Sequence, residues 1–163
     1  MSSERPTAAA VCIRVSEADF DVGAELAALR RRCSGQVGAV ASFVGLVRDF
    51  QGPEPGGAPV TELLLEHYPG MTESSIGAMC QEALERWRLL DVVIVHRVGR
   101  LAPNDQIVFV QVASAHRPDA FAACEFLMDY LKTEAVLWKR EGSAAGGRWL
   151  EPTQSDQERR RKW

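Results

Sequence analysis

Short runs in which apolar and polar residues alternate are separated by segments in which apolar residues recur at helical spacing. Residues 11–15, "VCIRV", alternate and predict a strand. Residues 21–33, "DVGAELAALRRRC", place Val22, Leu26 and Leu29 on one side and predict a helix. The same patterns predict strands at 37–47, 61–68, 91–99, 106–114 and 136–141, and helices at 71–87 and 118–134.

This order of elements predicts one α+β domain with a mixed, largely antiparallel sheet and flanking helices. Residues 1–10 are expected to form a flexible tail, and residues 11–163 the domain. Two glycines in 37–47 suggest a central strand with close backbone approach or a bulge. The Gly- and Pro-rich stretch that follows predicts a mobile loop. Residues 148–151 form a possible further strand, and the basic end "QSDQERRRKW" is either a solvated tail or a final helix.

Composition and charge restrict the ligands that the chain can bind. The 163 residues are 46% apolar and 25% charged, with a net charge of -3 and a pI near 5.7. Such a protein has no global electrostatic reason to bind nucleic acid or an anionic membrane, so a local basic cluster must hold any anion. The sequence contains neither an apolar run of membrane-spanning length nor a secretory signal pattern, and we expect a cytoplasmic protein.

The cysteines and histidines do not predict a metal site. The four cysteines are separated by 21, 47 and 44 residues, which matches no zinc or redox spacing, and we expect buried, reduced thiols. The three histidines are too scattered to propose metal ligands. His67 and His96 lie inside strand patterns and are interpreted as structural.

Two lysines flank one predicted helix-to-strand turn in "DYLKTEAVLWKRE". On a helical wheel Lys132 borders the apolar stripe, stacked over Met128 and Phe121. A partly desolvated amine there would have a lowered pKa, as proton transfer near neutral pH requires, although a snorkelling lysine would fit as well. The orientation of Lys139 is undetermined, and a surface lysine is the alternative.

Three further cations lie at predicted element ends. His116 and Arg117 join a strand to a helix, where exposed amides and the helix dipole favour an anion. Arg48 stands at the mouth of the Gly/Pro loop. Surface positions would explain each of them equally well. Together with the lysines, they indicate a small-anion site that could also perform lysine chemistry.

Several blocks of the sequence resemble one family, the large, catalytic subunit of molybdopterin synthase. They are "VGAVASFVGLVRDF", "LEHYPGMTE", "HRVGRLAPNDQIVFVQVASAHRPDAF", "FLMDYLKTEAVLWKRE" and a closing "RW…E…SDQ". The resemblance implies an α/β-hammerhead fold and a homodimer that binds two small, ubiquitin-like subunits, giving a heterotetramer. It implies a sulfurtransferase of molybdenum cofactor biosynthesis. Sulfur would pass from the thiocarboxylate on the partner's C-terminal Gly-Gly to cyclic pyranopterin monophosphate, forming the dithiolene of molybdopterin. No cofactor and no metal are expected.

The resemblance also implies the residues of the site. Lys132 and Lys139 would be catalytic. The implied substrate-binding residues are the two lysines with Leu46, Val47, Arg48, His116, Arg117, Arg140 and Glu141. The His-Arg pair would come from the neighbouring large subunit. Many relatives have a lysine where this chain has Leu46, so a cation is missing there.

Two other classes of function compete with this interpretation. A non-catalytic binding module could hold a peptide tail or a nucleotide-like anion in the same cavity. An unrelated phosphate-ester or acyl-transfer enzyme is the third hypothesis, but the chain shows no base-nucleophile pair that such an enzyme would use.

Overall fold

A computed structural model of the chain describes residues 9–33, 35–50, 56–143 and 146–163. The strands are β1 (Ala10–Ser16), β2 (Ala39–Leu46), β3 (Glu62–His67), β4 (Leu89–Arg97), β5 (Gly99–Leu101), β6 (Gln106–Ser114), β7 (Leu137–Ser143) and β8 (Gly146–Leu150). The helices are α1 (Val22–Arg32), α2 (Met71–Arg86), α3 (Arg117–Thr133) and α4 (Gln154–Arg160). The predicted α+β class is confirmed. Most of the predicted N-terminal tail and part of the Gly/Pro loop lie outside the described residues.

The strands form two four-stranded sheets. The first has the order β1-β4-β6-β2 and is mixed, because β1 runs parallel to β4. The second has the order β5-β3-β7-β8 and is antiparallel throughout. Gly99, with a φ of 84°, makes the turn from β4 into β5, which carries the chain from the first sheet to the second. The three-residue strand β5 was not predicted, since its region shows mainly a turn pattern.

The prediction that residues 37–47 form a central strand is wrong. Within the described chain, β2 pairs with β6 alone and is an edge strand. Helix α3 packs against it and buries Ala41, whereas Phe43 and Leu46 are exposed. The predicted bulge is present, because the register shifts between Gly45 and Leu46. A Cβ on Gly45 would lie 2.7 Å from Cγ1 of Val108.

Two apolar clusters meet at the junction of the two sheets. The larger lies between the first sheet and helices α2 and α3, and contains Phe126, Leu127 and Val110 among its buried residues. The smaller belongs to the second sheet and is formed by Val47, Leu63, Leu65, Val98 and Leu101. Ile107 packs against both clusters. The junction of the two sheets is therefore apolar, and any charged side chain directed into it loses water.

The prediction of buried thiols is confirmed for two of the four cysteines and wrong for Cys12 and Cys33, which are half-buried. All four are free, and Cys80 and Cys124 are buried. Burial raises the pKa of Cys80 to about 12 and that of Cys124 to about 11, so neither thiol is a ready nucleophile at neutral pH. Among the described helices, none is long and apolar enough to cross a membrane.

Candidate functional site

A pocket of about 110 Å³ opens at the junction of the two sheets. It lies between the end of β2, the last turn of α3 and strands β3, β6, β7 and β8. Its lining residues are Leu46, Val47, Arg48, Val60, Leu63, Ile107, Lys132, Lys139, Glu141 and Leu150. The two lysines that flank the helix-to-strand turn thus converge on one cavity, as the sequence predicted.

Strand alternation decides which residues of β7 enter the pocket. Lys139 and Glu141 face inward, whereas Trp138 and Arg140 lie on the other face of the sheet. Lys139 sits between the aliphatic residues Leu65 and Leu150, its partners on the neighbouring strands. The ammonium group of Lys139 is therefore held over apolar side chains.

The pKa of Lys139 is lowered from 10.5 to about 8, chiefly by burial in this setting. The positive charge of Lys132 contributes to this lowering, and the carboxylate of Asp156 partly opposes it. A pKa this close to neutral lets one amine act as a cation and also exchange its proton during a reaction.

Lys132 projects from the last turn of α3 at the pocket and is exposed. The predicted desolvation is therefore found at Lys139 instead. The helical wheel placed Phe121 on the buried stripe, but its side chain is 66% exposed, and the buried face of α3 carries Ala123, Phe126 and Leu127. Lys132 reaches the pocket from its mouth, whereas Lys139 rises from its wall.

The segment after β2 is held by the turn that joins β5 to β6. The N–H of Val47 donates to the carbonyl of Asp105 at 2.9 Å, and the N–H of Asn104 donates to the carbonyl of Val47 at 2.8 Å. Val47 is buried, and the next side chain, Arg48, is exposed at the rim with its guanidinium carbon 5.7 Å from the centre of the Phe50 ring. Arg48 thus places a guanidinium at the entrance that the lysines share.

Glu141 supplies the acidic group of the pocket. Its side chain is 8% exposed, and its Oε2 atom has no hydrogen-bond partner within the described part of the chain. A buried carboxylate oxygen without a donor is costly, so this position suits a ligand that brings an N–H group.

Comparison with known proteins identifies the family. A family model described as MoaE protein matches residues 15–134, which is most of the chain. The chain belongs to the MoaE family.

Relatives and solved structures agree with this assignment. The chain is 54% identical over 151 residues to the molybdopterin synthase catalytic subunit of Ralstonia nicotianae, covering 93% of this chain and 83% of that relative. The structure of the molybdopterin biosynthesis MoaE protein from Burkholderia ambifaria matches with a TM-score of 0.78 and 49% identity, covering 94% of this chain and 97% of that one. Molybdopterin synthase from Staphylococcus aureus matches with a TM-score of 0.74 and 28% identity, covering 84% and 95%.

Three residues of the predicted MoaE site lie outside the pocket of a single chain. His116 and Arg117 are exposed at the N-terminus of α3 and do not line the cavity. Arg140 lies on the outer face of β7, with its guanidinium carbon 6.0 Å from the centre of the Trp149 ring.

In the described residues no cluster of His, Cys, Asp or Glu is arranged to hold a metal ion.

Two titratable groups outside the predicted site interact electrostatically with the lysine pair. The first is His96, and the prediction that it is structural is confirmed. His96 is buried on β4, and its Nδ1 donates to the carbonyl of Arg97 at 2.8 Å. The pKa of His96 is lowered to about 4, chiefly by burial and also by the charges of Lys139 and Lys132, while its hydrogen bond to Arg97 opposes them. The imidazole is therefore neutral at pH 7.

The second group is Asp156, near the N-terminus of α4. The pattern Thr153–Asp156 is a capping box visible in the sequence, which could have predicted the final helix. The packing of that helix against α3 depends on the tertiary fold and has no local signal.

Proposed function

We propose that this MoaE-family chain is the catalytic subunit of a molybdopterin synthase. It would take sulfur from the C-terminal thiocarboxylate of a small ubiquitin-like partner and transfer it to cyclic pyranopterin monophosphate. The observation that carries this proposal is Lys139, a pocket amine whose pKa is lowered to about 8. The names of its relatives, which are molybdopterin synthase subunits, support this proposal, and the pocket offers groups suited to the reaction.

The net change in each round would exchange one oxygen for one sulfur. The thiocarboxylate sulfur would bond to a side-chain carbon of the pterin precursor, and an oxygen substituent would leave that carbon with a proton. Water would then cleave the resulting thioester. The partner would be released with an ordinary carboxylate, and the sulfur would remain on the pterin. Two rounds would give the dithiolene, and neither round needs an oxidant, a reductant or a cysteine of this chain.

The two amines have complementary roles in this scheme. Lys132, at the mouth of the pocket, would neutralise the incoming thiocarboxylate and hold it in place. Lys139 would stabilise negative charge that develops on the acyl group and donate a proton to the departing oxygen. A group with a pKa near the working pH performs such proton transfer best, and burial gives Lys139 that property.

The remaining residues would bind the precursor. Arg48 offers the forked guanidinium that suits a phosphate. Glu141 would accept an N–H of the pterin ring through its unpartnered oxygen. His116 and Arg117 would complete the phosphate site from a second copy of this chain, within a homodimer that binds two small subunits. The roles of Leu46 and Arg140 in binding, and the cytoplasmic location, remain predictions from the sequence.

A non-catalytic binding module would also place cations around a cavity. It would not require an amine to be desolvated, because a fully charged lysine binds an anion at least as well. The lowered pKa of Lys139 therefore favours catalysis over simple binding.

Reconstitution tests this proposed function. The chain would be mixed with a ubiquitin-like partner that ends in a Gly-Gly thiocarboxylate and with cyclic pyranopterin monophosphate. We expect the mass of the pterin product to show two incorporated sulfur atoms. The same partner with an ordinary carboxylate is the control. Tight binding of the partner without sulfur in the product would favour the binding module.

Replacing Arg48 with alanine should weaken precursor binding more than it slows the reaction. We expect KM for the precursor to rise by about 10- to 100-fold, because a charge-assisted hydrogen bond contributes roughly 1.5–3 kcal/mol, while kcat changes little. Steady-state kinetics at saturating partner measure both constants. Arg31→Ala on the exposed end of α1 is the matched control. An unchanged KM would rule out a substrate contact for Arg48.

A further inference from the structure

The turn between α3 and β7 joins the two lysines of the pocket. Lys132 lies on the last turn of α3, and Lys139 is the third residue of β7. Helix α3 packs against the first sheet, whereas β7 belongs to the second sheet. Because the two lysines are carried by different layers of the fold, the three residues that connect them, 134–136, set how the two amines are placed relative to each other.

A buried threonine on α2 holds this turn. Thr72 lies in the first turn of α2 and is fully buried. Its hydroxyl donates to the carbonyl of Val136 at 2.7 Å and accepts from the N–H of Tyr68 at 3.1 Å. Both distances are within the usual range for hydrogen bonds. One side chain therefore links the segment before α2 to the turn after α3.

These two bonds continue the attachment of β7 to β3 beyond the last pair of their ladder. That last pair is His67 and Leu137. Tyr68 and Val136 would be the next pair in this register, and the hydroxyl of Thr72 connects the N–H of one to the carbonyl of the other. The side chain thus joins the two segments at the point where the direct backbone pairing ends.

A second hydroxyl of α2 contacts the same turn. Ser75, which follows Thr72 by about one turn of the helix, donates from Oγ to the carbonyl of Glu134 at 3.2 Å. Ser75 is half-buried, and its bond is longer than the one from Thr72 to the turn. Neither residue lines the pocket. An effect of either hydroxyl on the chemistry must therefore pass through the turn.

We propose that Thr72 is a positioning residue of the active site, whose hydroxyl fixes the α3–β7 turn and thereby the placement of Lys132 and Lys139 in the pocket. Ser75 supports this role with the longer second bond. The catalytic meaning of the inference rests on the proposed function, whereas the effect of Thr72 on the surroundings of Lys139 can be measured without substrate.

Thr72→Val should loosen the turn without changing any charge. Valine keeps the branched shape, but the N–H of Tyr68 and the carbonyl of Val136 lose their hydroxyl partner, which favours a local shift of the backbone towards water. A misplacement of catalytic groups by about 1 Å can slow a reaction by about 10²-fold. We therefore expect sulfur transfer to become about 10- to 100-fold slower.

Single-turnover reconstitution with the thiocarboxylated partner and cyclic pyranopterin monophosphate measures this rate. KM for the precursor and the Kd of the partner should stay within about twofold, because Thr72 does not line the pocket. Thr72→Ser keeps the hydroxyl and should restore the rate to within about threefold of the wild type. A residue that only stabilises the fold would change the amount of folded protein and leave the rate per folded molecule unchanged.

Titration of Lys139 tests the same role without substrate. The chain has three lysines, Lys132, Lys139 and Lys162, so NMR of 13C-labelled lysine can be assigned with single Lys→Arg variants. A loosened turn admits water to the amine of Lys139, which favours its charged form. We expect Thr72→Val to raise the pKa of Lys139 from about 8 by about half a unit or more. The charged and titratable groups around this amine are the same in the variant, namely Arg48, His96, Lys132, Glu141 and Asp156.

Thr61→Val is the matched control, at the other end of the same pair of strands. The hydroxyl of Thr61 donates to the carbonyl of Gly142 at 3.1 Å, and the N–H of Thr61 donates to the same carbonyl at 2.9 Å. The carbonyl therefore keeps a partner when the hydroxyl is removed. We expect both the rate of sulfur transfer and the Lys139 titration to equal those of the wild type.

Should Thr72→Val fail to fold, Ser75→Ala takes its place, because alanine is favourable within a helix. We expect a rate about threefold lower and a smaller rise in the Lys139 pKa, since the bond that is lost is the longer one.

The two measurements separate failure of the inference from failure of the proposed function. An unshifted Lys139 titration in the folded variant would overturn the inference whether or not sulfur is transferred, and so would an unchanged rate in an active chain. A shifted titration in a chain that transfers no sulfur would retain the positioning of the amine and overturn the proposed function.

Discussion

Lys132→Ala is expected to reduce sulfur transfer by about a thousandfold. Lys132 lies at the mouth of the pocket, where the proposed function places the partner's thiocarboxylate. A preorganised donor to developing charge contributes a factor of about 10²–10³. Because Lys132 is exposed, the free energy of unfolding should change by less than about 0.5 kcal/mol. Single-turnover reconstitution with the thiocarboxylated partner measures the rate.

Lys162→Ala is the matched control for this prediction. Lys162 is exposed near the end of the chain, pairs with Glu125 at 3.1 Å and is not a pocket residue. We expect its removal to leave the transfer rate unchanged and partner binding intact. Full activity of Lys132→Ala in the same assay would refute the assignment of Lys132 as catalytic.

Lys139→Met should reduce activity by about a hundredfold while making the protein more stable at pH 7. The thioether chain fills similar space but cannot donate a proton or stabilise negative charge. Stability should rise because folding currently lowers the pKa of this amine from 10.5 to about 8, and a charged amine is disfavoured there. After discounting for partial exposure, we expect a gain of about 1–3 kcal/mol.

The pH dependence of that gain checks its cause. Between pH 8 and 10.5 the unfolded chain binds a proton at Lys139 that the folded chain has lost, so wild-type stability rises with pH relative to the variant. Above about pH 10.5 the amine is neutral in both states, and this contribution to the difference should vanish. Urea unfolding at pH 7, 9 and 10.5 measures it. A destabilised Lys139→Met at pH 7 would contradict the burial of a charged amine.

Much of the fold was predictable from local pattern. Local signals include the apolar runs of β4 and β6 and the proline near the start of α3. The predicted elements lie close to the observed ones. The convergence of Lys132 and Lys139 followed from their positions on either side of one short turn. These features depend on neighbours within a few residues along the chain.

The unpredicted features depend on contacts between distant segments. The burial of Lys139 is decided by its pairing with Leu65 and Leu150, and one strand of mixed composition does not reveal its inner face. A helical wheel shows an apolar stripe but not which side of it is covered by the rest of the protein. The exposure of Phe121 could therefore not be predicted from the spacing of apolar residues. Helix α4 packs on α3, and no local pattern encodes this contact.

The most direct test of this account is to map where an activated partner tail acylates the chain. A ubiquitin-like partner ending in a Gly-Gly thioester would be mixed with the protein above pH 8, where the amine of Lys139 is largely neutral. An amine close to the acyl carbon displaces the thiolate and forms an amide, which peptide mass spectrometry locates. The account predicts attachment at Lys132 or Lys139 and none at Lys162. Attachment at Lys162, with both pocket lysines unmodified, would contradict it.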